Sequence, residues 1–260
     1  MGAVASFLSS TTSSPTCATA LTTASSKPSK PKAPKRIFIA VELPDDMKEL
    51  CLETITDRLL PLDKTENDKS TVKWVLEPSL FHCTLQFLGS VEEDRIQDLS
   101  DQLRGKVLST PPFTLQLGGL GCFPNHKSTK NASVVWLGLE GETQKLKDLS
   151  CTVMDTTEPL GFRRERRPFS AHVTLGRVKR GTGGRRKRGR RQEPGNSSSL
   201  PPALQDLLDR MMNSDSNEAR EIKDRTHPFG VNHVALIESK LSKDGPEYIT
   251  LERFDLMGKP

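Results

Sequence analysis

The chain has 260 residues, 34% hydrophobic and 27% charged, so a packed core is affordable only if loops or tails dilute it. Its net charge of +5 is concentrated: residues 1–36 and 179–191 hold five and eight Lys/Arg with no Asp/Glu, and the remainder has 33 acidic against 25 basic residues. Attraction to a nucleic acid is therefore local to those two segments, and no apolar run approaches the ~18–20 residues that would cross a membrane.

Residues 1–35 are Ser/Thr/Ala-rich and then Lys/Pro-rich, and nothing in them can bury a core. They read as a disordered N-terminal extension or as an acid-free, Arg-poor targeting presequence of the plastid type. The opening Met1-Gly2-Ala3-Val4-Ala5-Ser6 also matches the short N-myristoylation pattern. A presequence places the protein in a plastid or other organelle; a plain tail leaves it cytoplasmic or nuclear.

Order is expected from Ile37. Residues 37–41 form an apolar strand, and Pro44-Asp45-Asp46 opens a helix with Met47, Leu50, Cys51, Ile55 and Leu59 on one face. A polar loop over 63–70 leads to a strand at 72–75. A buried strand over 80–88 carries Phe81-His82-Cys83-Thr84-Leu85. The spacing predicts a helix over 92–108, stopped by Pro111-Pro112, then a strand over 113–117 and a Gly/Pro/Asn loop over 118–131. A strand at 133–139 and a helix with Leu146, Leu149, Val153 and Met154 follow. The strand over 169–178 carries Ala171-His172-Val173-Thr174-Leu175, which answers the first motif.

Residues ~179–226 read as a basic, partly disordered insertion into a domain spanning 36–260. It contains a short amphipathic helix after Pro201-Pro202 and then a polar stretch to Arg225. Two further strands, near 229–237 and 248–256, complete the chain. Strand, helix, loop and His-x-Thr strand thus occur twice, over 37–88 and 133–178. Two such halves facing each other across a pseudo-twofold would bring both motifs to one cleft.

In a strand, His and Thr two apart share a face. For one His, satisfaction in the core is the better reading; two in matched settings point to function. His126 sits in a loop, His227 beside Pro228, and His233 on a strand where packing is the default. Two histidines without a third ligand make a poor zinc site, and neither HExxH nor a nucleophile elbow is present. The five cysteines are odd in number and form no CxxC, which argues against a disulfide framework and fits a reducing compartment. What remains is acid–base work by two imidazoles, suited to in-line displacement at phosphorus. Thr84 and Thr174 can donate to non-bridging oxygens, and Arg177, three past Thr174, can neutralise phosphate charge.

Several stretches carry a resemblance: Arg36-Ile37-Phe38-Ile39-Ala40-Val41-Glu42-Leu43-Pro44, Phe81 to Gly89, Val134-Val135-Trp136-Leu137-Gly138, and Arg167 to Arg177. Together they resemble the RNA 2′,3′-cyclic phosphodiesterases, long called 2′-5′ RNA ligases, within the LigT-like two-histidine (2H) phosphoesterases. The resemblance implies an α+β fold of two lobes, with antiparallel sheets flanking a central cleft and helices outside. It implies hydrolysis of 2′,3′-cyclic phosphate RNA ends to 2′-phosphates with neither metal nor cofactor. His82 would be the proton donor, His172 the proton acceptor, and Thr84 and Thr174 the phosphate holders. The expected partner is RNA ending in a cyclic phosphate, with an extra contact from the basic arm 179–191, and the expected state is a monomer. The alternatives are an RNA- or nucleotide-binding protein on the same fold, or 2H chemistry on 2′,5′-linked oligonucleotides or small cyclic nucleotides.

Overall fold

The structure, a computed structural model, describes residues 33–64, 70–125, 128–179, 200–213, 216–243 and 245–259. The presequence, the myristoylation pattern, His126 and nearly all of the basic arm lie outside the described residues. Among the described residues, nine strands form two antiparallel sheets. One has the order β3-β1-β8-β9, built from β1 (Lys35–Glu42), β3 (His82–Val91), β8 (His233–Leu241) and β9 (Pro246–Asp255). The other has the order β2-β6-β5-β4-β7, built from β2 (Val72–Trp74), β4 (Phe113–Phe123), β5 (Val134–Gly141), β6 (His172–Val178) and β7 (Phe229–Val231).

Alternation sorts each strand. In β1, Ile37, Ile39 and Val41 enter the main core, whereas Phe38 and Ala40 point to the opposite face. Helices α2 (Glu93–Val107) and α3 (Thr143–Thr157) pack on each other and against β9 and β3, burying Leu99, Leu103, Leu149 and Val153. Helices α4 (Pro202–Met211) and α5 (Asn217–Asp224) lie against β4 of the second sheet. The result is the expected α+β architecture with two sheets and helices packed on them.

The two motif strands are placed alike. β1 pairs with β3, and β5 with β6, in one register: Glu42 stands opposite His82 as Gly138 stands opposite His172, and Ala40 opposite Thr84 as Trp136 opposite Thr174. Both ladders then slip by one residue, at Leu85 and at Leu175. Each bulge turns the residue three past the Thr, Phe87 or Arg177, back onto the face that carries the His and Thr. β3 and β6 touch across the two sheets, and the buried Cys83 thiol hydrogen-bonds the backbone of His172.

Several expectations need correction. The stretch from Gly118 is not a loop. β4 runs on to Phe123, and its ladder with β5 absorbs Gly118 and Gly119 in a register shift between Leu117 and Leu120. The motif strands begin at His82 and His172, not at residues 80 and 169, because Pro78–Leu80 forms a 3-10 turn and 168–171 is irregular. The polar stretch before Arg225 holds α5, whose cap Ser216 accepts a bond from the Ala219 N–H at 3.1 Å. Leu204, Leu208, Met211 and Ile222 of these two helices join the main core. α5 is also tied to α1 (Asp45–Glu53) and the turns after it by Arg225–Glu53 and Arg58–Glu221 ion pairs.

Candidate active site

His82 and His172 each open their strand, and each is oriented in the same way. Nδ1 of His82 donates to the Leu80 carbonyl at 2.8 Å, and Nδ1 of His172 to the Ser170 carbonyl at 2.7 Å. A carbonyl oxygen only accepts, so the neutral rings carry their hydrogen on Nδ1 and leave Nε2 for chemistry. Nε2 of His82 lies 3.0 Å from the Thr84 hydroxyl. Aromatic rings fix both imidazoles from the side. Phe38 and Tyr248 lie 4.8 and 5.3 Å from His82; Phe123 and Trp136 lie 4.9 and 6.1 Å from His172.

A cleft of about 770 Å³ is lined by residues of both sheets, among them His82, Thr84, Thr174 and Arg177. His172 stands two residues before Thr174, on the same face of β6. The cleft also holds Arg36, Lys73, Phe87 and Tyr248, with carboxylates Glu77 and Glu247. The Arg36 guanidinium sits 4.6 Å over the half-exposed Phe87 ring. Among the described residues no three His, Cys, Asp or Glu side chains converge as metal ligands.

The electrostatics differ between neighbours. Burial lowers His82 to about 4; the Leu80 bond and the Glu42 charge oppose this, while His172 and Arg177 add to it. For Glu42, burial pushes the carboxyl up, but Arg253 and His233 outweigh it by hydrogen bonds and charge and bring it to about 2. Arg253 contacts both carboxylate oxygens, at 2.6 and 3.1 Å, and His233 one at 3.0 Å. His233 is thus bound to a carboxylate, not merely packed. His227 pairs with Asp46 at 2.9 Å, which ties the end of the insertion to α1.

Sequence reasoning missed Lys73, Tyr248, Phe38 and Glu42 as site residues. The signal for Phe38 and Glu42 was the alternation of β1, since both lie opposite the Ile37-Ile39-Val41 face. Lys73 and Tyr248 depend on long-range strand pairing, which leaves no local trace.

A family model described as LigT-like phosphoesterase matches residues 52–136, a range that contains the first motif. The RNA 2′,3′-cyclic phosphodiesterase of Archaeoglobus fulgidus is 37% identical over 56% of this chain and 73% of its own. That of Methanothermobacter thermautotrophicus is 30% identical over 85% of this chain and 98% of its own. Among solved structures, E. coli LigT complexed with 3′-AMP aligns with a TM-score of 0.57 at 21% identity, over 86% of this chain and 98% of that one, a likeness of fold. With that fold, these two relatives and the family match, the chain belongs to the LigT-like phosphoesterases, the family of the RNA 2′,3′-cyclic phosphodiesterases, and is a phosphodiesterase.

Proposed function

We propose that this chain hydrolyses RNA 2′,3′-cyclic phosphate ends to 2′-phosphates by acid–base catalysis at His82 and His172, without a metal. The observation that carries the reading is the matched pair of imidazoles, each held through Nδ1 by the carbonyl two residues back and each followed by a Thr on the same face. A water attacks phosphorus while Nε2 of His172 takes its proton. The bond from phosphorus to O3′ breaks, and the proton on Nε2 of His82 goes to that oxygen. Thr84, Thr174 and Arg177 hold the non-bridging oxygens. The names of the relatives support the substrate.

The assignment of His82 as donor is supported by asymmetry. A donor must be protonated when the leaving oxygen departs, and Glu42, opposite His82, favours the charged ring. In the open cleft His82 is neutral at pH 7, since its value lies near 4. An anionic cyclic phosphate brings the missing counter-charge and raises it. The test is turnover of an oligonucleotide ending in 2′,3′-cyclic phosphate, with a chelator present. His82→Ala and His172→Ala are each expected to lose about 10²–10⁴-fold in kcat. Undiminished turnover by either variant, or loss of wild-type turnover on chelation, would overturn the mechanism.

A further inference from the structure

The three-residue strand β2 contributes little to the sheet by length, yet it is tied down firmly. Asp63, fully buried, accepts from the backbone N–H groups of Thr71 at 2.9 Å and Val72 at 3.0 Å, and from the Trp74 indole at 2.8 Å. Trp74 lies in register against Gly176, where a Cβ would come within 2.7 Å of its ring. What this anchoring presents to the cleft is Lys73. It stands opposite Arg177 on β6, both exposed and both lining the cleft. Like charges directly opposite each other on a sheet are unfavourable. No carboxylate among the described residues forms an ion pair with either. Two cations held side by side, with no ion-pair partner for either among the described residues, make an anion site within a cleft that Glu77 and Glu247 also line.

The place of this pair says which anion. Arg177 lies three residues along β6 from Thr174, but the bulge at Leu175 reduces the advance to two ladder steps, about 7 Å at ~3.3 Å per residue, a span comparable to one nucleotide step. Arg36 faces the same cleft from β1, and its guanidinium covers Phe87. Given the cyclic phosphodiesterase reading on which this rests, we infer that Lys73 and Arg177 form a second phosphate site, which takes the 5′-phosphate of the nucleotide whose cyclic phosphate lies between the histidines. Arg177 stands between the two phosphates and contributes to both; Lys73 serves the second alone. The preferred substrate is then a nucleotide carrying a 5′-phosphate, as every 3′-terminal nucleotide of an RNA does.

The test compares kcat/KM of the full chain on adenosine 2′,3′-cyclic phosphate, its 5′-phosphorylated form, and an adenosine dinucleotide ending in cyclic phosphate. Wild type is expected to favour the two 5′-phosphorylated substrates by about tenfold, the scale of one charge-assisted hydrogen bond. Lys73→Met should remove most of that preference and Lys73→Arg should restore it. For the dinucleotide, Lys73→Met should also flatten the dependence of log kcat/KM on log salt by about one. A gain by both phosphorylated substrates means the site reads any 5′-phosphate; a gain by the dinucleotide alone means it reads a phosphodiester, and either supports the site. A preference that survives Lys73→Met, or a loss equal on all three substrates, overturns it. Absence of turnover on all three overturns the underlying reaction, and the site with it.

Discussion

The two motif ladders offer a comparison within one molecule, because the backbone is repeated and the side chains are not. Where His82 has Glu42 opposite, His172 has Gly138; where Thr84 has Ala40, Thr174 has Trp136; where Phe87 has Phe38, Arg177 has Val134. Both ladders slip at the Leu after the Thr. The repeated backbone sets geometry: imidazole, hydroxyl and the residue three beyond it share one face in each half. The differing side chains divide the labour. One half brings a carboxylate and an exposed aromatic ring; the other brings a large indole beside its histidine and a guanidinium. A site that treats the two sides of a phosphorus differently can thus arise from two copies of one strand pairing.

The sharpest way to break this comparison is at the glycines under the two tryptophans. Trp136 lies in register against Gly121, where a Cβ would meet its ring at 2.2 Å; Trp74 lies against Gly176 at 2.7 Å. Overpacking of this kind costs about 1–3 kcal/mol, so Gly121→Ala and Gly176→Ala should both lower the midpoint of chemical denaturation. Their effects on catalysis should part. Trp136 flanks His172, so Gly121→Ala should depress kcat on every substrate. Trp74 carries β2, so Gly176→Ala should act through Lys73 and weaken the preference for a 5′-phosphate. Equal kinetic effects from the two would show that the tryptophans only fill space.

Much of this was legible in the chain. The apolar run of residues 37–41 and the matched His-x-Thr runs were sufficient for those strands and the paired site, and the helices over 93–107 and 143–157 followed from their apolar stripes. The bulges were not legible, since nothing local distinguishes Leu85 or Leu175 from any buried strand residue. Without them, alternation would turn Phe87 and Arg177 away from the face of His82 and His172. The continuation of β4 through Gly118 and Gly119 was hidden for a related reason: paired glycines signal a turn unless a partner strand absorbs the extra length. α5 was hidden by composition, because its eight residues bury only Ala219 and Ile222.

The residues beyond the bulges provide the next contrast. Arg177→Met should raise KM for all cyclic phosphates by about tenfold, the scale of a lost charge-assisted bond. Phe87→Ala should cost about 1–3 kcal/mol in binding if a base stacks on the exposed ring under Arg36, with kcat held. The discriminating measurement is salt dependence. The loss at Arg177 should shrink as salt is raised, whereas that at Phe87 should not. Parallel salt responses would mean that both positions act through the same contact and that the two halves are less divided than their side chains suggest.

The smallest expected effect tests the carboxylate opposite His82. Glu42 favours the charged form of that ring, so Glu42→Gln should move the His82 titration further below about 4, whereas Gly138, opposite His172, offers no such charge to remove. NMR titration of the two imidazoles reads this directly, and the groups facing His82 to be held constant are His172, Arg177 and Tyr248. Addition of inorganic phosphate should move His82 upward in the parent protein and less far in the variant. The sign carries through to stability. A histidine at about 4 in the fold and 6.5 when unfolded binds its proton better in the unfolded chain, so its contribution is whole above pH 6.5 and is lost between 6.5 and 4. Glu42, at about 2 against 4.5, contributes above pH 4.5 and loses that contribution as pH falls towards 2. Stability should therefore decline through two pH windows on acidification, and Glu42→Gln should remove the contribution of Glu42 to the lower one. If instead both histidines shift together in the variant, Glu42 acts on the cleft as a whole, and the donor role of His82 loses its structural support.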